Sequence, residues 1–170
     1  MIMHRVDFQS PIGVLEILST MEAIYAIHFT ERTETDFQLD DNHPAVVHIC
    51  VKQLHEYFYG DRMDFTFPYI FEGTDFQQSV WKALTKVPYA TTASYKHIAQ
   101  SIGNDRAVRA VGSANNKNRL PIVIPCHRII SVGGKLTGYA GGLWRKEWLL
   151  NHEQAKLKNN PLKSINVKKP

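Results

Sequence analysis

Cys126 and His127 stand side by side in the stretch PIVIPCHRII, residues 121–130, inside an otherwise apolar run. A thiol attacks as its thiolate, and a free thiol near pKa about 8.5 is mostly protonated at neutral pH. Nucleophilic use of Cys126 therefore needs a base or a positive surrounding. His127 is adjacent, Arg128 follows, and His152 and Glu153 lie in the last helical stretch. A Cys–His–acid relay is open to these residues: the acid orients the imidazole, and the imidazole takes the thiol proton directly or through a water. Equally open is a buried structural cysteine, the usual state of a thiol in an apolar run. Neighbouring side chains on a strand point to opposite faces. Cys126 and His127 thus share a pocket only if the backbone turns between them, and Pro125 favours such an irregular path.

The elements that would position this pair follow from periodicity and turn chemistry. Residues 4–29 (RVDFQSPIGVLEIL, then EAIYAIHF) read as two or three antiparallel strands turning at Ser10-Pro11-Ile12-Gly13. The polar, acidic ERTETDFQLDDNHP is a loop. After Pro44, the apolar residues Val47, Cys50, Val51, Leu54, Tyr57 and Phe58 recur at helical spacing until Gly60. Cys50 sits on that stripe and is a core residue. Thr74 and Gln77 form a capping-box pattern ahead of a helix that buries Phe76, Val80, Trp81 and Leu84 and ends at Pro88. A short helix follows, capped by Ser94 or Thr92, packing Ile98 and Ile102 and ending at Gly103. Ala107, Val108, Ala110, Val111 and Ala114 then mark a small-residue helix carrying Arg109. This pair has the form of a helix-turn-helix, a form many non-binding helix pairs share. GGKLTGYAGG is a glycine-rich loop. The last helix, from Leu143, is expected to pack Leu143, Trp148, Leu149 and Leu150.

Charge divides the chain. The net charge is +4, yet residues 1–81 balance to −9 and residues 82–170 to +13. Without the five lysines of the tail the second part is still +8, so the basic half is expected to face a polyanion. No apolar run reaches the roughly 18 residues that a membrane span requires, and MIMHRVDFQ has no signal-peptide character. Two cysteines without a secretory signal point to a reducing, cytoplasmic address. The scattered histidines and the absence of a C-x-x-C pair argue against zinc or any other metal.

The segments SYKHIA, RAVRAVGSANNKN, IPCHRII and TGYAGGLWRKEWLLNHE, in this order and spacing, closely resemble the O6-alkylguanine-DNA alkyltransferase family, over roughly residues 74–153. SPIGVLEI and HEYFYG match more loosely. Pro-Cys-His-Arg is that family's acceptor motif. The resemblance implies a DNA repair protein that binds duplex DNA, rotates the damaged guanine out of the stack and moves its alkyl group irreversibly to its own Cys126, one turnover per molecule. O6-methylguanine is the chief lesion implied, with O4-alkylthymine beside it. By this resemblance His127 and Glu153 activate Cys126 through a water, Tyr95 donates a proton to the departing guanine, and Asn118 braces the active-site turn. Arg109 fills the space of the flipped base. Small Ala110 lets that helix approach DNA, and Arg128 joins the DNA contacts. The backbones of Cys126 and Ile129 read the guanine edge, and Tyr139 with Ala140 lines the pocket. No cofactor or metal is implied, and a monomer is expected.

Two residues depart from the family pattern. Arg119 follows Asn118 where proline is common, and Ala140 replaces a serine found in some members. The expected fold class is α+β: a small ribonuclease-H-like N-terminal α/β domain (1–72), a mostly helical, winged-helix-like C-terminal domain (73–155), and a basic, disordered tail (156–170). Two other readings stand beside repair: a non-catalytic binder of alkyl lesions, and a thiol hydrolase built on Cys126.

Overall fold

The structure is a computed structural model that describes residues 2–159. The chain divides between Phe71 and Glu72 into two compact units.

In the first unit β1 (His4–Ser10), β2 (Gly13–Ser19) and β3 (Ile24–Phe29) form an antiparallel sheet in the order β1-β2-β3. The β1–β2 turn closes at Gly13, whose φ of 103° lies in the left-handed region that a residue with a Cβ avoids. Ser10 Oγ accepts from the Ile12 N–H and donates to the Gly13 carbonyl, so the turn satisfies its own polar groups. α1 (Ala45–Tyr59) begins after Pro44 and ends at Gly60, where an added Cβ would meet the Glu56 carbonyl at 2.9 Å. Its buried face, Val46, Val47, Cys50, Leu54, Tyr57 and Phe58, completes a core with Val6, Phe8, Leu15, Ile17, Ile24 and Ile27. Cys50 is fully buried, and burial pushes its thiol well above the ordinary range.

The acidic loop after β3 is not loose, as its composition suggests. The buried Asp7 of β1 takes both nitrogens of the Arg32 guanidinium, at 2.6 and 2.8 Å, and the backbone N–H groups of Asp36 and Phe37. Burial alone would raise the Asp7 carboxyl; these donors outweigh it and hold the group at about 2.

The second unit holds the helical elements. α2 (Asp75–Thr85) starts on the expected capping box of Thr74 and Gln77. β4 (Ala93–Ser94) leads directly into α3 (Tyr95–Ser101), capped by Ser94, whose side chain accepts from the His97 N–H. After a turn at Gly103 comes α4 (Val108–Asn116), which packs on α2 and α3 through Val111 and Ala114. Trp81 donates its indole N–H to the Ala114 carbonyl, 2.9 Å, and so ties α2 to the C-terminal half of α4. The apolar stretch 120–130, which the sequence suggests is strand-like, is mostly turn: only Ile129–Ile130 form β5, a two-residue strand parallel to β4. Three glycines of the following loop, Gly134, Gly138 and Gly142, have positive φ.

α5 runs from Leu143 to Lys158, past the expected boundary at 155. The buried Leu157 extends the packed face, so the helix gains from continuing. The rest of the expected tail, residues 160–170, lies outside the described residues. A second correction concerns the packing of this helix. Leu143 is half exposed, and the buried face consists of Arg145, Lys146, Leu149, Glu153 and Leu157. Its polar residues have polar partners: Glu153 meets His127 and Arg128 of the Cys126 turn, and Arg145 and Lys146 donate to the Gly141 and Thr137 carbonyls. Among the described residues no helix is long and apolar enough to cross a membrane.

The Asp7 cluster generates a test. A hydrogen bond to a charged group contributes about 1.5–3 kcal/mol, so Asp7→Asn should speed amide exchange at Asp36 and Phe37 by roughly tenfold or more. The Asp7 carboxyl is lowered in the folded chain, so its contribution is complete above the unfolded value of 3.8 and is lost as pH falls through about 2. Hydrogen exchange followed down the acid range should show these two amides released there in the parent chain.

Candidate active site

The site begins with the backbone at residues 118–130. Pro125, with φ −80° and ψ 62°, is the centre of an inverse γ-turn, in which the Cys126 N–H donates to the Ile124 carbonyl at 2.7 Å. A single 3-10 turn, Cys126–Arg128, follows at once, with the Arg128 N–H on the Pro125 carbonyl at 3.0 Å. Here is the bend that lets adjacent Cys126 and His127 belong to one site. Two asparagines hold it. Asn118 accepts from the Leu120 N–H and donates to the Ile124 carbonyl, both at 2.9 Å. Asn115, at the end of α4, donates to the Cys126 carbonyl at 3.4 Å. Ile122 is a buried β-branched residue with φ 76°, a conformation that costs about 1–3 kcal/mol and persists only where its surroundings impose it.

Cys126 is 4% exposed. Burial raises its thiol above the ordinary range. The polar side chains of Asn118 and Tyr139 and the charge of Lys146 work the other way. The Tyr139 hydroxyl is in turn raised well above its usual value by burial and by the sulfur beside it.

His127 is fully buried, with Nε2 2.7 Å from Glu153 Oε2. Burial holds the imidazole below its ordinary value against the opposing pull of Glu153, so the ring is neutral. Glu153 is buried, yet it is held well below the carboxylate range. Burial alone would raise it, and His127 and Arg128 override that. An ionised carboxylate only accepts, so Nε2 carries the ring proton and Nδ1 keeps its lone pair. Nδ1 is buried and has no protein hydrogen-bond partner. Glu153 also accepts from Arg128 Nε at 2.9 Å, Arg128 Nη2 at 3.1 Å and the Ala90 N–H at 3.1 Å. Ala90 has φ 61°, in the left-handed region, and at that φ its N–H is directed to the carboxylate.

The geometry sorts the expected residues. Cys126, His127, Glu153, Asn118 and Tyr139 converge. Tyr95, at the start of α3, donates its hydroxyl to the Thr137 carbonyl at 3.1 Å. Arg109 and Ala110 are exposed on α4. Ile129 is sealed in the core and Ala140 is exposed. The expected base-reading backbone of Cys126 already has internal partners, its N–H on Ile124 and its carbonyl on Asn115 and Ile129. Arg128 as a DNA contact is corrected: it is 6% exposed and spends its guanidinium on Glu153 and the Val87 carbonyl. Arg119, in the place of the common proline, pairs with Glu72 at 3.5 Å on the surface.

Four participants were not anticipated. Asn115 is one of a pair, and nothing in SANNKN separates a bracing asparagine from a turn former. Ala90 acts through its backbone, which leaves no mark on residue type. Arg145 and Lys146 look like ordinary helix-surface charges until α5 is placed. Among the described residues no group of three His, Cys, Asp or Glu side chains could hold a metal ion.

The family model for the 6-O-methylguanine DNA methyltransferase ribonuclease-like domain matches residues 3–69. The model for the DNA binding domain of the same proteins matches residues 75–155. The methylated-DNA–protein-cysteine methyltransferase of Methanosarcina acetivorans is 41% identical over 154 residues, 89% of this chain and 98% of that protein. Its counterpart in Methanosarcina barkeri is 56% identical over 109 residues, 64% of this chain and 69% of that one. The crystal structure of Mycobacterium tuberculosis O6-methylguanine methyltransferase matches with a TM-score of 0.80 at 40% identity, covering 91% of this chain and 94% of that one. The structure of Mycobacterium tuberculosis OGT in complex with DNA matches with a TM-score of 0.79 at 42% identity, over 88% and 92%. Two domain matches in order, with a cysteine on a strained turn backed by a buried histidine and glutamate, leave one assignment: the chain belongs to the methylated-DNA–protein-cysteine methyltransferase family.

Proposed function

We propose that this chain repairs DNA by taking the alkyl group of O6-alkylguanine onto Cys126, once per molecule. The observation that carries this reading is the line Cys126–His127–Glu153: a sulfur on a rigid turn, an imidazole held neutral with Nδ1 unclaimed by protein, and a carboxylate that fixes the tautomer. The relay uses a water between Nδ1 and the thiol. His127 accepts the thiol proton, and Glu153 stabilises the imidazolium that forms. The thiolate attacks the alkyl carbon, an S–C bond forms, and the C–O6 bond breaks with its electron pair going to guanine. The guanine takes up a proton, which Tyr95 supplies in this reading once its hydroxyl leaves the Thr137 carbonyl. A thioether has no ordinary hydrolytic exit, so the protein is consumed.

The base must leave the stack, because its O6 edge is out of reach of an in-line nucleophile inside the duplex. In this reading α3 and α4 dock on duplex DNA, Ala110 allows close approach, and Arg109 enters the space of the flipped base. The excess positive charge of residues 82–170 supplies phosphate attraction that weakens as salt rises. Ile129 and Ala140 belong to the pocket wall with Tyr139. The chain works as a monomer in the cytoplasm, and its two free cysteines fit a reducing compartment.

Four outcomes are expected. With duplex carrying labelled O6-methylguanine, label should reach Cys126 to at most one equivalent, and Cys126→Ser should take none; steady multiple turnover would contradict the reading. Glu153→Gln should lose transfer and also stability. It strips the counter-charge from buried Arg128, a change that costs about 3–5 kcal/mol and that a denaturant melt reads directly. Because burial lowers His127, its base form should persist below the ordinary imidazole value of 6.5, so the acid limb of transfer rate against pH should fall beneath that value. Arg109→Ala should slow transfer from duplex far more than transfer from the free base, a contrast that single-turnover assays on both substrates would measure.

A further inference from the structure

One backbone oxygen of the glycine-rich loop takes donors from two helices. The Thr137 carbonyl accepts from the Tyr95 hydroxyl of α3 at 3.1 Å and from Lys146 Nζ of α5 at 2.9 Å. Gly138 follows directly at φ 48°, so the peptide that carries this oxygen is set by a residue without a Cβ. Lys146 has 0% exposure, and a lysine is almost never fully buried unless it is paired. Among the described residues, the Thr137 carbonyl is the acceptor that its side chain has.

The two bonds are unequal. An O–H donor ordinarily stands about 2.7–2.8 Å from its acceptor, and an N–H donor about 2.9–3.0 Å. The lysine bond has the ordinary length for its type, and the tyrosine bond is long for its type. Burial lowers Lys146 to about 8, which leaves it charged at neutral pH, and a charged donor makes the stronger bond. Lys146 is therefore the main partner of the carbonyl, and the Tyr95 hydroxyl is the secondary one. The Tyr95 ring is seated without help from its hydroxyl. Lys146 Nζ lies 5.9 Å from the ring centroid, within reach of a cation–π contact. From α4, a Cβ added at Gly112 would stand 3.8 Å from the ring. The ring can stay in place while the O–H proton turns about the C–O bond. A carbonyl that lost its sole donor would be left unmet and would oppose that turn. A carbonyl that keeps Lys146 is still satisfied.

We propose that Lys146 is a positioning residue of the alkyl transfer: it holds the Thr137 carbonyl from α5, so that the Tyr95 hydroxyl turns its proton from that carbonyl to the departing guanine without orphaning the acceptor. The assignment deepens the proposed function and rests on Tyr95 being the proton donor of that reaction. The carbonyl parks the hydroxyl before the base arrives, and the lysine keeps the loop in place after the hydroxyl has turned. As the C–O6 bond breaks, the Tyr95 proton passes to guanine. The phenolate regains a proton from solvent, and His127 gives up the thiol proton to solvent. The sum is thiol plus alkylguanine giving thioether plus guanine.

A double-mutant cycle tests this, read by single-turnover transfer from duplex carrying labelled O6-methylguanine. Lys146→Met should slow transfer about tenfold, the effect of one acceptor left unmet. Lys146→Arg keeps a charged donor and should stay within about threefold of the parent chain. A Tyr95→Phe chain has no hydroxyl to release, so there Lys146→Met should cost less than about twofold. A full loss that persists in the Tyr95→Phe chain marks a merely structural lysine and overturns the proposal. So does a Lys146→Met chain as fast as the parent. Should the Lys146→Met chains fail to fold, a chain that keeps its lysine decides. NMR of Cys126→Ser bound to the lesion duplex should show the Tyr95 hydroxyl, read at its ring carbon Cζ, changing partner while the Lys146 Nζ protons stay protected from exchange. Loss of that protection, or an unmoved Tyr95 signal, refutes the assignment. A parent chain that leaves Cys126 unlabelled would instead sink the functional reading, whereas normal transfer with an additive cycle sinks this inference alone.

Discussion

The Glu153 carboxylate is the group on which the second unit turns. It is buried, it is ionised, and it accepts from an imidazole, a guanidinium and a backbone N–H contributed by two separate stretches of chain, the 126–128 turn and Ala90. A carboxylate in that setting is tolerable only if its lone pairs are filled. Filling them fixes the tautomer of His127, immobilises Arg128 and locks the 90–91 turn. The proposed relay uses the first of these; the other two are the condition for keeping a charge inside.

The second constraint is the path of the backbone through Pro125. An extended chain would send Cys126 and His127 to opposite faces. The inverse γ-turn and the 3-10 turn replace the strand, and the polar groups they orphan are met by Asn118 and Asn115. The unfavourable φ of Ile122 belongs to the same device. Strain at this point is held in place by dense apolar burial on both sides, from Leu120 to Ile129. A rigid turn serves a nucleophile that must meet its target carbon in one geometry, since misplacement by about 1 Å can cost roughly a hundredfold in rate.

The interior of this unit holds several charged side chains. Arg128, Arg145, Lys146 and Glu153 are all buried. The surplus is positive before the thiol ionises. Burial raises the Cys126 thiol, and the charge of Lys146 works against that rise.

Much of the architecture was legible in residue order. The strand turn at Gly13, the stripe of α1, the capping box of α2 and the helix pair α3–α4 follow from period and cap chemistry, which act over a few residues. The grouping of Cys126, His127 and Glu153 was legible too, through the motif around them. What residue order could not decide is direction in space. Leu143 and Lys146 share the first turn of one helix, and only the docking of α5 makes the leucine exposed and the lysine buried. Arg128 reads as a surface cation beside a DNA-binding motif, and only the placement of Glu153 turns it inward. Ala90 contributes a backbone N–H whose aim depends on a φ that its residue type disfavours. Local sequence determines which elements form, because their hydrogen bonds close within a few residues. The long-range packing of α5 against the Cys126 turn decides which charges lose their water, and so which of them act on the sulfur.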